Sequence, residues 1–472
     1  MYGLPKIHKE NVPFRPILSS INTYNYKLAS YLVDILQPIS TNAYSVKNSF
    51  SFSNWINNNH TNGVMCSYDV VSLFTNVPLD ETINIALSKL YQLTSPPIIP
   101  KSEMKKLLTF ATKESHFLFD GRYYDQIDGV GMGSPLGPIL ANIFMTNFEE
   151  KWISNNPCNG PLCWKRYVDD TFTLFRCTKD AISFMHYLNS KHPNIKFTHE
   201  MEKDNELSFL DLLISNENNK FKTTIFRKKT FTGLYTKWDS FTPRKYKINL
   251  INTLLDRFWK ICSNETLFNI ETNYLKDLLM KNGYPSGVIN YNIRNFINKR
   301  KNGTDDATKE GPEKLNITLT LPFIGYQSLI LKKRIRNLIS KFCGGVQVNV
   351  IFRNRFTIGC NFNFKDRLIS NDKSCVVYEF TCEECNAKYI GKTVRCLKER
   401  IKEHFNALTK DYLHSSIANH LLGTNHNTSF YNNFTIIDSA TNNYELTIKE
   451  AINIMHKKPT LNENNEFQLS LY

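Results

Sequence analysis

Lys165-Arg166-Tyr167-Val168-Asp169-Asp170, followed by the β-rich run Thr171 to Phe175, is the stretch that decides the fold. Two adjacent carboxylates at a tight turn between apolar runs make a site for a hard divalent cation. Mg²⁺ takes oxygen ligands in near-octahedral geometry, commonly one or two carboxylates plus substrate phosphates. A third carboxylate, Asp69, ends the strand-like run Gly63 to Tyr68 upstream. One upstream Asp and a downstream Asp pair suit two Mg²⁺ ions working on the attacking and leaving oxygens of a phosphoryl transfer. An Asp-Asp pair alone is a weak signal, because many are solvated turns.

The neighbours make the signal specific. Pro13-Phe14-Arg15-Pro16-Ile17 carries Arg15, whose planar fork suits phosphate oxygens. Asp69 is followed by Phe74. Gly131-Met132-Gly133-Ser134-Pro135-Leu136-Gly137-Pro138, then Asn142, supplies glycines that let backbone approach a ligand and allow positive φ. Taken singly, Arg15 reads as a surface ion pair, Phe74 as a core aromatic, and the glycines as a loop before an amphipathic helix over 138–148. Together, and in this order, the blocks resemble the reverse transcriptase motifs. That resemblance implies that Arg15 grips the incoming triphosphate and that Phe74 sits under the sugar and excludes a 2′-hydroxyl. It places Gly133 against the base pair and template, and makes Asp69, Asp169 and Asp170 the metal-binding catalytic carboxylates.

Composition agrees with a nucleic-acid enzyme. The chain has 472 residues, room for roughly three domains. Its net charge of +15 and pI near 9.1 suit a polyanionic partner, through counterion release. Aromatics at 13% supply stacking platforms as well as core. No run of eighteen apolar residues appears, so no membrane span is expected. No signal peptide is read at the start. Eleven scattered cysteines argue for a reducing compartment and against a disulfide scaffold. There are no internal repeats.

Four zones follow. Residues 1–225 hold the fingers and palm, including a strand-like run Phe209 to Ile214 in which Asp211 reads as structural. Residues 226–297 interleave Arg227, Lys228, Lys229, Lys237, Arg244, Lys245 and Lys247 with Phe231, Tyr235, Trp238, Phe241 and Tyr246. This pattern suits a primer–template grip or, equally, a solvated face over a core. Helical spacing over 248–262 fits a helical thumb. Residues 298–372 form a connector. Its polar stretch 298–316 is a linker candidate. Its cluster Lys332-Lys333-Arg334-Ile335-Arg336 suits a nuclear address, a nucleic-acid contact or a solvated helix face.

Residues 373–472 form a second enzyme candidate. Tyr378 is followed eleven residues later by Tyr389-Ile390-Gly391. Arg400 and His404, four apart, share a face of a helix over 397–408 that packs through Leu397 and Ile401. Glu450 lies in a later helix ending near Lys457-Lys458-Pro459. This pattern resembles the GIY-YIG endonucleases. The resemblance implies that Tyr378 and Tyr389 are the motif tyrosines, one of them helping to deprotonate a water. Arg400 then stabilises the pentavalent phosphate and Glu450 holds one Mg²⁺, with His404 in the catalytic set and Asn462 in the following segment. Val376-Val377 replaces the usual Gly-Ile, so the first strand must pack differently. Otherwise Tyr389 reads as a core tyrosine, and Glu450 as a surface partner of Lys457 or Lys458. Cys382, Cys385, His420 and His426 are zinc-ligand types at an unusual overall spacing. The alternatives are two thiols in a β-turn and two surface histidines. His414 is a competing ligand, and Cys375 and Cys396 are spare thiols.

A reverse transcriptase followed by a GIY-YIG nuclease resembles the Penelope-like retroelement proteins. Gly3-Leu4-Pro5-Lys6-Ile7-His8-Lys9 and the run Cys66 to Pro78 are typical of them. So is the Cys-x₂-Cys inside the nuclease. The resemblance implies an α+β multidomain chain: a right-hand palm with a helical thumb, plus a small α/β nuclease. Implied partners are an RNA template, a DNA primer, target DNA and dNTPs, in the nucleus. A relationship to telomerase-type polymerases is implied by resemblance alone. Arg15 lies close to the start, so the fingers are read as N-terminally short. Two rival readings stay open, a non-catalytic nucleic-acid-binding remnant and a nuclease beside an inactive polymerase. Oligomeric state is not legible.

Overall fold

The computed structural model describes residues 1–462 apart from 8–10, 22, 60, 155–159, 218–219, 303–314, 344, 355–360, 362–367, 410–414 and 428–430. The chain divides into two compact units, Met1–Phe117 with Tyr124–Phe364, and Lys365–Tyr472 with Leu118–Tyr123.

The first unit opens with hairpin β1 (Tyr2–Pro5) and β2 (Phe14–Ile17), then α1 (Tyr26–Leu36) and α2 (Ser49–Asn57). Strand β3 (Val64–Val70) leads through α3 (Leu73–Asn76) to α4 (Leu79–Leu90), α5 (Lys101–Thr112), and hairpin strands β4 (His116–Phe119) and β5 (Arg122–Asp125), of which Leu118–Tyr123 groups with the second unit. Next come α6 (Leu136–Trp152), β6 (Cys163–Tyr167), β7 (Asp170–Phe175), α7 (Thr178–Asn189) and β8 (Phe197–Met201). The palm is the antiparallel sheet β6-β7-β3-β8. Successive strand side chains point to opposite faces, so both faces can be buried. Tyr68 and Phe175 pack on Phe144 of α6 and Phe184 of α7. Met65, Phe172 and Leu174 face Phe52 of α2 and the next sheet. Helix α6 is not amphipathic; it buries residues around its circumference, from Leu140 to Phe148, and is the palm's central helix.

The run Phe209 to Ile214 is not one strand. It is a tight turn between β9 (Glu206–Phe209) and β10 (Leu212–Glu217), which pairs in turn with β11 (Lys220–Ile225). Leu210 turns the chain at φ +56°, and the apolar residues run on because both strands are buried. Asp211, in this turn, pairs with Arg257, in line with a structural role.

Three helices follow: α8 (Arg244–Ile261), α9 (Glu265–Lys281) and α10 (Ser286–Lys301). Leu255, Phe258, Leu275 and Leu279 join Phe209 and Leu212 in one core, so thumb and palm are continuous. Helix α10 runs past residue 297, and residues 303–314 of the linker candidate lie outside the described residues. The connector is structured. β12 (Leu315–Pro322) and β13 (Val346–Arg353) are parallel, joined by α11 (Tyr326–Phe342), whose Ile335 and Ile339 cover Val348, Val350 and Phe352.

In the second unit β14 (Val376–Thr381) lies between β15 (Lys388–Thr393) and β16 (Phe434–Ser439). Helices α12 (Leu397–Thr409), α13 (Ser416–Thr424) and α14 (Asn443–Lys457) cover the sheet. Alternation sorts β14: Val376, Tyr378 and Phe380 pack with Leu397, Ile401 and Ile417, while Val377 packs with Ile390 and Leu446. The two valines that depart from Gly-Ile therefore fill core on opposite faces.

Candidate functional sites

The β6–β7 turn consists of Val168 and Asp169, closed by the pair Tyr167↔Asp170. Val168 sits at φ +57°, a left-handed conformation that costs a β-branched residue about 1–3 kcal/mol. Two contacts impose it. Arg166 Nη1 donates to the Val168 carbonyl at 3.0 Å, and Val70 N–H donates to the Asp169 carbonyl at 3.2 Å. Asp69 lies directly across from Asp170 in the β3–β7 register. The three carboxylates thus meet at one end of two adjacent strands. Burial, then the charges of Asp169 and Asp69, push the Asp170 pKa up to about 6, against an opposing pull from Lys228. A half-buried group of like charges is the donor set a hard divalent cation fits.

Arg166 is the residue that sequence reading passed over. It is fully buried and bridges Glu149 of α6 through two hydrogen bonds, 2.6 and 3.1 Å, while Nη1 also donates to Asn142 at 2.9 Å. Glu149 accepts further bonds from Trp164 and Asn42 at 2.9 Å each. This satisfied ion pair ties the aspartate turn to the central helix. The only sequence signal is a charge at a strand position otherwise bound for core.

The remaining blocks converge through backbone. Arg15 is exposed on β2, opposite Leu4. The chain after β2 docks on the glycine loop: Leu18 N–H donates to the Met132 carbonyl at 2.9 Å, and Ser20 Oγ to that of Gly133 at 2.7 Å. At Gly133, φ is +133° and a Cβ would overlap the Leu18 carbonyl oxygen, so its close approach is to protein. The loop reaches Phe74, whose carbonyl accepts from Val130 N–H at 2.7 Å. Phe74 is half-buried between two core clusters.

Several residues of the basic–aromatic stretch are committed to structure. Arg227 pairs with Glu271 and lies 4.2 Å from the Tyr274 ring. The buried Lys247 amine donates to the Trp238 and Ser240 carbonyls. Tyr246 Oη donates to the Phe352 carbonyl at 2.9 Å. Lys228, Lys229, Lys237 and Lys245 stay exposed.

The second unit gathers Tyr378, Tyr389, Arg400, His404 and Glu450. Tyr378 Oη lies 2.9 Å from His404 Nε2 and accepts from Arg400 Nε at 3.2 Å. Tyr389 meets the His404 ring edge-on, with ring centroids 6.0 Å apart. Gly391 faces Tyr378 across the β14–β15 pair, where a Cβ would come 2.7 Å from Tyr378 Oη and 2.8 Å from Tyr389 Cε1. That crowding explains the glycine. Burial, then Arg400, lowers the His404 pKa to about 4, so the ring is neutral near pH 7. Burial works against the Arg400 charge, yet hydrogen bonds to Tyr378 and Glu403 hold its pKa above the ordinary value. Tyr378 is fully buried and its pKa is raised, mainly by burial; Tyr389 is the more open of the two. Glu450 is buried and pairs with Lys392 at 3.3 Å, whereas Lys457 pairs with Glu379. Asn462 completes the β15 edge, accepting from Ile390 N–H at 2.9 Å and donating to its carbonyl at 2.8 Å.

Cys382, Cys385, His420 and His426 converge, with one ligand atom from each lying within 4.8 Å of the others. Cys385 Sγ is 3.3 Å from His420 Nε2, and Cys382 Sγ 3.5 Å from His426 Nδ1. A tetrahedral zinc site with ordinary Zn–S and Zn–N bonds has S···N edges of roughly 3.5 Å, so this donor set fits. Cys375 and Cys396 donate instead to the Val394 and Asn371 carbonyls. His414 lies outside the described residues.

Family models match three stretches of the chain. A reverse transcriptase (RNA-dependent DNA polymerase) family model matches residues 7–231, and a GIY-YIG catalytic domain model matches 374–458. Between them an animal helix-turn-helix model matches 234–294, across α8, α9 and much of α10. No curated protein matches the chain. Among solved structures, apo telomerase from Candida tropicalis is 12% identical with a TM-score of 0.36, covering 64% of this chain and 61% of that one. Telomerase from Candida albicans, in complex with a fragment of telomeric RNA, is 13% identical with a TM-score of 0.37, covering 60% and 49%. A sicinivirus RNA-dependent RNA polymerase is 13% identical with a TM-score of 0.35, covering 53% and 54%. The chain thus spans less than two thirds of each of these chains, and such loose likenesses carry no assignment. No helix among the described residues is long and apolar enough to cross a membrane.

Proposed function

Because the chain joins a reverse transcriptase domain to a GIY-YIG domain, the architecture of Penelope-like proteins, we propose that it copies RNA into DNA from a primer end made by its own nuclease. The element served is a retrotransposon, and the setting is the nucleus. The observation that carries the polymerase reading is the Asp69↔Asp170 register with Asp169 beside it. Asp69, Asp169 and Asp170 would hold two Mg²⁺ ions, which supply charge stabilisation for an in-line displacement when bound. The chain does the positioning. Arg15 holds the nucleotide triphosphate, Phe74 limits the sugar to deoxyribose, and the Gly133 loop sets the floor between them. Exposed lysines from Lys228 to Lys245 follow the template–primer backbone.

In the nuclease Arg400 meets the phosphate, Tyr389 orients the attacking water, and Glu450 is the ligand for one divalent metal ion. Cys382, Cys385, His420 and His426 hold a structural zinc. Primer extension on RNA and nicking of plasmid DNA, each with Mg²⁺, test both halves. Nicking without any extension would leave the nuclease as the sole activity, and neither would leave a binding remnant.

A further inference from the structure

A line of hydrogen bonds runs from the phosphate-facing arginine into the core of the second unit. Arg400 Nε lies 3.2 Å from Tyr378 Oη, Tyr378 Oη 2.9 Å from His404 Nε2, and His404 Nδ1 2.8 Å from Ser415 Oγ. The Ala418 N–H donates to the same Ser415 Oγ at 3.2 Å. Tyr378, His404 and Ser415 are all buried.

The direction of the line follows from the donors. A guanidinium only donates, so Tyr378 Oη accepts from Arg400. The phenol proton then goes to His404 Nε2. A neutral imidazole that accepts at Nε2 carries its proton on Nδ1, which donates to Ser415 Oγ. In the reverse order the spare hydrogen would sit on Tyr378, 0% exposed. In this order it sits on Ser415, which keeps 6% exposure. The cheaper place for an unmatched hydrogen is the group nearer water.

We propose that Ser415 is a positioning residue of the nuclease: it fixes the Nδ1–H form of His404, which turns the Tyr378 oxygen to receive and aim Arg400. This rests on the nuclease reading above. Tyr378 is then a support for the arginine, and Tyr389 is left to meet the water. Ser415 caps α13, a different helix from the one that carries Arg400 and His404, so no local pattern points to it.

The test compares the full chain with Ser415→Ala and Ser415→Thr. Nicking of a supercoiled plasmid gives kcat and KM, and ¹⁵N-histidine NMR reads the His404 tautomer, with His404→Gln for assignment. Ser415→Ala should lower kcat roughly tenfold to a hundredfold, in the range of lost outer-shell partners, with KM for DNA little changed. His404 should lose its Nδ1–H preference, and Ser415→Thr, which keeps the hydroxyl, should restore both. Melting curves matched to wild type exclude loss of the α13 cap as the cause. Wild-type nicking by Ser415→Ala, or an unchanged His404 tautomer, overturns the proposal. No nicking by the wild-type chain overturns the nuclease reading itself.

Discussion

The polymerase and nuclease sites place their charges in opposite ways. In the palm three carboxylates face one another, and Asp170 is driven up to about 6 by burial and by its neighbours. In the second unit the charged groups already have partners of opposite sign or matching hydrogen bonds: Arg400 with Glu403 and Tyr378, Glu450 with Lys392. The first arrangement gains stability when cations arrive. The second is set before substrate comes, and Lys392 must yield to any metal that Glu450 takes. One chain thus holds a cluster of facing like charges and a site whose charges already have protein partners.

The contrast can be broken at several points. The largest effect falls on the support of the palm turn. Glu149→Gln leaves the Arg166 charge buried without its carboxylate and should cost about 3–5 kcal/mol. Denaturant melts would register that loss, with extension falling and nicking intact if the sites are independent. Arg400→Ala should lower nicking on the order of 10²–10³-fold while primer extension is unchanged, since it removes a preset charge from the transition state. Equal loss of both activities would merge the two sites.

Gly391→Ala drives a methyl group against Tyr378 and Tyr389. An overpacked core typically costs about 1–3 kcal/mol, so calorimetry should find the second unit melting earlier and nicking reduced. The smallest effect concerns Asp170. Its folded pKa, about 6, lies above the ordinary 3.8. Its contribution to stability is therefore full below pH 4 and lost as pH rises through 6. Asp170→Asn should stabilise the metal-free protein at pH 7 by about 1 kcal/mol after screening, and flatten the slope between pH 4 and 6. Mg²⁺ affinity of the wild type should rise across the same window.

Legibility followed membership of a compact motif. The aspartates, Arg15, Phe74 and the two tyrosines stand in compact blocks whose residue types state their chemistry. The Arg166–Glu149 pair and the Ser415–His404 bond belong to no such block, because each joins elements whose contact only the fold creates. The Phe209 to Ile214 turn was hidden because strands buried on both faces carry no polar punctuation. The connector read as polar linker and solvated helix because its strands and helix stay largely exposed. The basic–aromatic stretch was ambiguous for a physical reason: arginine and lysine serve carbonyls and carboxylates as readily as phosphates, as Arg227 and Lys247 do here.

The most direct measurement is Mg²⁺-dependent dNTP incorporation on an RNA template with an annealed DNA primer, comparing wild type with the Asp169→Ala/Asp170→Ala double variant. A polymerase built on Asp69, Asp169 and Asp170 predicts incorporation by the wild type and none by the variant, with nicking retained in both. Incorporation that survives the double substitution, or that never occurs in the wild type, would contradict it.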